Sequence, residues 1–188
     1  MKIDIEQRIK RLGITCSVND KQFVRGIECV DLGLPSGTLW AKFNLGADSE
    51  TDCGNYYQFG YFKPHKETWD KFGLIDFGSI NGWTVPTKEQ FRELVENTDC
   101  RWTTINDVCG YKFTSKVDKT KYVFFPAAGN CYDDSIHYVG SYGVYWSSSL
   151  YSSNVQIASY LYFDSGTVDW QDRSNRWVGR SLRLVFGL

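Results

Sequence analysis

The feature that most constrains the fold is a strict alternation of side chains near the C-terminus. Residues 157–164 divide into two sets, Ile157, Ser159, Leu161 and Phe163 in one and Ala158, Tyr160, Tyr162 and Asp164 in the other. A period of two is typical of a strand, because successive side chains point to opposite faces of a sheet. Asp164-Ser165-Gly166 then favours a tight turn into a second strand, 167–171. This pattern predicts a hairpin with Leu161 and Phe163 in the core, and with Tyr160 and Tyr162 on the opposite, exposed face.

A single internal segment, 87–97, has the pattern of a helix. Thr87 is a good N-cap, and Gln90 stands three residues later, which completes a capping box. Apolar residues at helical spacing predict the buried stripe of this helix, namely Phe91, Leu94 and Val95.

Short runs of strand-forming residues between turns predict the remaining strands. They lie at 38–45, 101–105, 108–114, 121–126, 144–149 and 181–186. A two-residue turn at Asn106-Asp107 would set Thr104 opposite Cys109. Short antiparallel strands with one or two helices, and a strand near each end of the chain, predict an α+β domain whose N- and C-terminal strands pair.

The first 22 residues are predicted to form a separate segment, and residues 23–188 a single domain. Ile5, Ile9 and Leu12 recur at helical spacing, and Gly13 follows as a stop. This helix either packs on its own domain or serves in docking or homo-oligomerisation. The first twelve residues are charged throughout and lack the apolar core of a signal peptide.

Overall charge and hydropathy exclude two classes of partner. The formal net charge is −1, which argues against nucleic-acid binding, because neutralising phosphates needs clustered Lys and Arg. No apolar run approaches the roughly 20 residues of a membrane helix, so no membrane insertion is expected.

The residue types that carry catalysis or bind metals are few and poorly spaced. The six cysteines lack a CxxC pair, so we expect free thiols rather than a zinc site. His65 and His137 stand in neither a metal-ligand nor a triad spacing, and Asp133-Asp134 is typical of a solvated turn. We therefore expect no catalytic residue, no metal and no cofactor.

The segment from Tyr142 to Trp177 is dense in Tyr, Trp, Ser and Asn. Antibody paratopes use the same mixture, because aromatic side chains give contact area at low entropic cost and short polar groups adapt their hydrogen bonds. The stretch from Trp170 to Trp177 is too polar to be buried, yet has an aromatic residue at each end. The predicted ligand-binding residues are Leu150, Tyr151, Ser153, Asn154, Gln156, Tyr160, Tyr162, Asp164, Thr167, Asp169, Trp170, Gln171, Asp172, Arg173, Ser174, Asn175, Arg176 and Trp177.

Six strings in order along the chain resemble the major paralogous domain (FISUMP) proteins of gut bacteria and their phages. They lie at 30–41, 82–91, 102–104, 110–112, 125–129 and 140–149, and they include Gly82-Trp-Thr-Val-Pro86 and Tyr145-Trp-Ser-Ser-Ser149. The ending Gly179-Arg-Ser-Leu-Arg183-Leu-Val185 also fits the family pattern, with Leu182 and Leu184 as departures. Four tryptophans within these strings are expected in the core: Trp40, Trp83, Trp102 and Trp146.

The resemblance implies a C-type-lectin-like fold, shared with formylglycine-generating enzymes and with the variable proteins of diversity-generating retroelements. The cysteine pair of those enzymes has no counterpart, because no cysteine follows Cys131. The resemblance therefore implies a non-enzymatic binding protein, diversified between Leu150 and Trp177. Such a protein would bind a protein or glycan receptor on a cell surface and be displayed on a phage particle or a cell surface.

An alternative is an adhesin-type paralogue of fixed sequence. Adenine mutagenesis of an Asn codon of the AAC type cannot produce Trp or Gln, so Gln156, Trp170, Gln171 and Trp177 would need other template codons.

Overall fold

A computed structural model describes residues 21–61, 77–133 and 135–187. The elements in these residues are β1 (Gln22–Val24), β2 (Ile27–Asp31), β3 (Leu39–Ala41), α1 (Lys88–Asn97), β4 (Thr98–Ile105), β5 (Val108–Ser115), β6 (Tyr122–Pro126), β7 (Asn130–Tyr132), β8 (Ser135–His137), β9 (Tyr142–Tyr151), β10 (Asn154–Asp164), β11 (Val168–Asn175) and β12 (Val185–Phe186). The predicted N-terminal helix with Ile5, Ile9 and Leu12 lies outside the described residues. No helix among the described residues has the length and apolar character needed to cross a membrane.

The predicted α+β, C-type-lectin-like fold class is wrong, because the structure is dominated by strands. Strands account for 51% and helix for 7% of it, in four small antiparallel sheets. Strands β4, β5, β9, β10 and β11 run longer than predicted, whereas β3, β6 and β12 are shorter. Additional hairpins form, among them β1–β2 and β7–β8. Left-handed residues close these turns, with φ of 50° at Arg25 and 48° at Asp133. The conformation of a single turn residue does not change the hydrophobic pattern of the flanking segments, so that pattern did not predict these hairpins.

The first and last strands of the described residues lie in one sheet but do not pair as predicted. This sheet has the order β1-β2-β3-β12. The last strand pairs with β3, through Val185 opposite Trp40, and β1 lies at the other edge. The prediction that the first and last strands pair is therefore wrong, because the last strand pairs with β3 and not with β1.

Helix α1 begins where its sequence predicts. The Gln90 backbone N donates to Thr87 Oγ1 at 3.2 Å, and the Thr87 backbone N donates to Gln90 Oε1 at 2.9 Å. This capping box satisfies two backbone donors that would otherwise lack partners. Phe91 and Leu94 are buried, whereas Val95 is only half-buried.

The β4–β5 hairpin confirms the predicted register. Asn106 and Asp107 both have positive φ, and Thr104 pairs with Cys109. Cys100 instead pairs with Phe113, far along the ladder from Cys109. Cys29, Cys53, Cys100 and Cys109 are free thiols.

Two hydrophobic cores lie on opposite faces of the central strands β9 and β10. The first core contains Trp83, Trp146 and Leu182, and the second contains Trp40 and Phe163. Neighbouring residues of β9 and β10 contribute to different cores, so both faces of these strands are covered. Three of the four tryptophans predicted in the core are fully buried, namely Trp40, Trp83 and Trp146, whereas Trp102 is half-buried.

A candidate ligand-binding face

The predicted binding residues of β10 and β11 divide between two faces of the sheet β11-β10-β9. Cross-strand register places Tyr160 opposite Asp172, Tyr162 opposite Asp169, and Ala158 opposite Ser174. Directly opposed residues of antiparallel strands project from the same face. We call this the front face, defined by Tyr142, Tyr160, Tyr162, Asp164, Asp169, Asp172 and Ser174.

Tyr160 lies on the front face but is buried, so the prediction that its side chain is exposed is wrong. Its side chain belongs to the first core at 9% exposure, and its ring meets that of Trp146 edge-on at 6.0 Å. Only its hydroxyl reaches toward the surface, donating to Asp172 Oδ2 at 2.7 Å. Alternation marks the face on which Tyr160 lies, but the first core covers part of that face.

A second group of predicted residues forms the β9–β10 hairpin tip, residues 150–156. Leu150, Ser153, Asn154 and Gln156 are exposed, and Tyr151 is half-buried. The Arg173 guanidinium lies 4.4 Å from the centroid of the Tyr151 ring. The tip is therefore an accessible surface.

A third group lies on the opposite face, which we call the back face. Trp170 packs against the second core, and the Arg92 guanidinium of α1 lies 5.7 Å from its ring centroid. Gln171, Arg173 and Asn175 are exposed on β11, and Thr167 is exposed in the preceding turn. Trp170 and Tyr160 therefore cannot contribute to one flat patch.

The last two predicted residues, Arg176 and Trp177, are half-buried. The Arg176 guanidinium lies 4.7 Å from the Phe59 ring centroid and donates to the Val155 carbonyl oxygen at 3.3 Å. The Trp177 carbonyl oxygen accepts from Gln58 Nε2 at 3.3 Å. These contacts tie the end of β11 to the hairpin tip and to the segment around Phe59.

The structure adds a row of aromatic rings that sequence analysis missed. In order of contact the row consists of Tyr132, His137, Tyr138, Tyr142 and Tyr162, with centroid separations of 4.3, 6.1, 5.3 and 5.7 Å. Of these residues only Tyr162 was predicted to bind ligand. The others come from the β7–β8 hairpin, the turn after it and the start of β9. Tyr142 begins the segment that is dense in Tyr, Trp, Ser and Asn, but no binding role was predicted for it. We call this set the tyrosine row.

Tyr138 is the most exposed ring of the row, at 59%. Its φ is +63°, a left-handed conformation that costs a non-glycine residue about 1 kcal/mol or more. The Ser141 backbone N donates to its carbonyl oxygen at 3.0 Å, which closes a turn. Gly129 packs so closely beneath that an added Cβ would lie 1.9 Å from the His137 carbonyl oxygen. The backbone thus holds this ring outward against a local conformational cost.

Carboxylates stand beside the row. Tyr162 donates its hydroxyl proton to Asp164 Oδ2 at 2.8 Å, and Asp164 Oδ1 accepts from the backbone N of Gly166 and Thr167 at 2.9 Å each. The Gly166 hydrogen bond, followed by that from Tyr162, lowers the pKa of the Asp164 carboxyl below its usual value. Burial, together with Asp164, raises the pKa of Tyr162 to about 12. Asp164 is therefore ionised and Tyr162 neutral at neutral pH.

A buried cation lies behind these groups. Arg180 is 4% exposed, and its Cζ lies 3.8 Å from the Tyr160 ring centroid and 4.7 Å from that of Trp146. Burial lowers the pKa of this guanidinium to about 10, although nearby Tyr160, Tyr142 and Asp172 oppose the shift. Arg180 stays charged at neutral pH.

Two other features of the described part of the chain bear on metal binding and on small-molecule binding. No three His, Cys, Asp or Glu side chains converge there to hold a metal ion. A cleft of about 360 Å³ lies between the β1–β2 hairpin and segment 43–48, with Phe23, Ile27, Leu45 and Leu184 among its apolar lining. It contains none of the predicted binding residues.

Comparison with known proteins identifies a family without a described activity. Searches of the curated proteins and of the solved structures found no match. The profile of a family described as Domain of unknown function (DUF8237) matches residues 90–185. This range spans just over half of the chain and contains the front face, the hairpin tip and the tyrosine row. The chain therefore belongs to the family described as Domain of unknown function DUF8237.

Proposed function

We propose that this protein is a non-enzymatic receptor-binding protein whose contact surface is the tyrosine row together with the exposed part of the front face. The observation that carries the proposal is Tyr138, a large aromatic residue held outward in a left-handed conformation. Backbone strain of this kind persists only where the surrounding structure enforces it, and it is concentrated at functional sites.

The chemistry of the row suits contact with another molecule. Tyrosine combines an apolar ring with a polar hydroxyl and loses little entropy when it becomes ordered. Exposed Ile136 and Val139 flank Tyr138, so the patch is also apolar. Adjacent apolar groups with a polar rim mark interaction sites. A central tyrosine in such a patch contributes about 2 kcal/mol or more to binding.

The resemblance to FISUMP proteins supports the rest of the proposal. The receptor is a protein or glycan on a cell surface, and this protein is displayed on a phage particle or on a cell surface. The N-terminal segment, residues 1–22, is the proposed site of docking or oligomerisation.

Binding of the labelled protein to a panel of intact gut-bacterial cells tests the proposal. Tyr138→Ala should lower cell binding at least tenfold while the melting temperature stays within a few degrees, because the ring is largely exposed. Tyr162→Ala should lower binding as well. The matched control is Val117→Ala, whose side chain is 80% exposed and outside the row. Unchanged cell binding by both tyrosine variants would reject the proposal.

A second candidate is the diversified variable protein of a retroelement. It is supported by the exposure of the hairpin tip and of alternate β11 residues, namely Gln171, Arg173 and Asn175, because such positions tolerate change without loss of the core. Sibling genes should then differ at these positions but keep Leu161 and Phe163. Neighbouring DNA that lacks a reverse transcriptase and a template repeat would instead favour the fixed adhesin-type paralogue.

A further inference from the structure

Two arginines three positions apart are both buried, yet their hydrogen bonding differs. Arg183 is 0% exposed and its guanidinium is well supplied with acceptors: Nε donates to Asn44 Oδ1 at 2.9 Å, Nη1 to the carbonyl oxygens of Ala41 and Lys42, and Nη2 to that of Phe124. Arg180 Nε, by contrast, is buried without any hydrogen-bond partner. Buried donors are almost always paired with protein or water. Arg180 therefore retains hydrogen-bonding capacity for another molecule.

The charge of Arg180 is also incompletely neutralised. Within the described ranges no carboxylate oxygen lies within 4.0 Å of its nitrogens. Asp172 is linked to it only through Tyr160, whose hydroxyl lies beside the guanidinium and donates to Asp172. A buried cation without a direct counter-ion favours an arriving anion.

The same face also offers hydrogen-bond acceptors. Asp164 and Asp172 are half-buried, and each oxygen of a carboxylate can accept more than one hydrogen bond. Tyr142 and Tyr162 lie between these groups and the exposed ring of Tyr138. This face thus combines two carboxylate acceptors and aromatic rings, and the Arg180 guanidinium, 4% exposed, lies against the Tyr160 ring behind them.

We propose that this face binds an acidic sugar, whose carboxylate pairs with Arg180 and whose hydroxyls donate to Asp164 and Asp172. The inference rests on the proposed function and names its ligand class. A guanidinium matches a planar carboxylate in two parallel hydrogen bonds. The C–H groups of a sugar ring are weakly positive and are attracted to the negative faces of tyrosine rings. An acidic peptide suits the face less well. Its several carboxylates would be repelled by Asp164 and Asp172, and it has few hydroxyls to donate hydrogen bonds to them.

Titration of the unmodified protein with sodium glucuronate and with glucose, followed by calorimetry or by NMR chemical shifts, tests the ligand class. Glucuronate should bind at least tenfold more tightly than glucose, and its affinity should fall as NaCl is raised, because the attraction is electrostatic. Sodium acetate should bind at least tenfold more weakly than glucuronate, because it has no hydroxyls. Equal binding of glucose or of acetate, or no binding of glucuronate, would overturn the inference.

Substitution of Arg180 separates a binding role from a structural one. Arg180→Met keeps the length of the side chain and removes an unpaired buried donor, so the melting temperature should stay unchanged or rise. Glucuronate affinity should fall at least tenfold, and Arg180→Lys should recover part of it. Arg92→Met on the back face is the matched control, with no expected change. Full glucuronate binding by Arg180→Met would contradict the inference. The inference would also be contradicted if Arg180→Met did not fold and Arg180→Lys folded normally but did not bind glucuronate.

The outcomes for the ligand class and for the proposed function are distinguishable. If Tyr138→Ala abolishes cell binding but the protein does not bind glucuronate, receptor binding stands and the acidic sugar is rejected. If both tyrosine variants bind cells normally, receptor binding through this face is rejected whatever the sugar titration gives.

Discussion

The front and back faces of the central sheet use the same kinds of side chain for different purposes. On the back face, Phe163 contacts Tyr111 and Tyr145, with ring centroids 5.3 and 5.8 Å away, and is fully buried. On the front face, Tyr162 lies beside it in the same strand, contacts Tyr142 and remains half-buried. The two buried arginines also differ, since every nitrogen of the Arg183 guanidinium donates a hydrogen bond, whereas Arg180 Nε has no partner. Within β10, the back-face ring of Phe163 is therefore fully buried, whereas the front-face ring of Tyr162 keeps an accessible part.

The largest expected effect comes from opening the back face. Phe163→Ala should lower the free energy of unfolding by about 4 kcal/mol, because it removes a fully buried ring from a close-packed site. The ring lies so close to Gly143 that an added Cβ there would be 2.1 Å from it, which shows how closely the site is filled. Tyr162→Ala is the matched control on the same strand and should cost about 1 kcal/mol. Urea denaturation measures both, and equal losses would remove the distinction between the faces.

The second-largest effect on stability is expected from substitution of Arg183. Arg183→Met should lower the free energy of unfolding by about 3 kcal/mol, because it leaves Asn44 and several carbonyl oxygens buried without a donor. Arg180→Met, in the same assay, should change it by less than about 1 kcal/mol. If the two substitutions cost the same, Arg180 is as much a structural residue as Arg183.

The smallest effect is a pH dependence at the edge of the front face. Hydrogen bonds lower the pKa of Asp164 in the folded protein, so its contribution to stability is present above the unfolded pKa of about 3.9 and is lost as pH falls through the folded pKa. The carboxylate is partly solvated, so the contribution is about 0.5 kcal/mol or less. Asp164→Asn should therefore reduce the acid-induced loss of stability below about pH 4. Thermal melts from pH 2.5 to 7 measure this, and an unchanged profile would show that the hydrogen bonds to Asp164 do not stabilise the turn.

The part of the candidate site on β10 and β11 could be located from the sequence, because these strands alternate clearly. Ser153 and Asn154, which were predicted to bind ligand, lie exposed at the hairpin tip, and Asp172 and Tyr162 share a face. Tyr160 and Trp170 could not be placed correctly, since alternation assigns a face to each side chain without showing what covers that face. Tyr138 was missed because it lies in the turn after β8 and reaches the site only by contact with Tyr142, which the β9–β10 pairing sets beside Tyr162.

The sequence by itself determined the local elements of this protein. The Thr87 and Gln90 side chains set the start of α1, the Asn106-Asp107 turn sets the β4–β5 register, and alternation sets strand β10. These features depend on neighbours within a few residues, so they are visible in the sequence. Only the tertiary structure decided that both faces of β10 are covered, that Arg180 is buried without a counter-ion, and that five rings form a row. Each of these depends on segments distant in sequence, which meet only when the chain is folded.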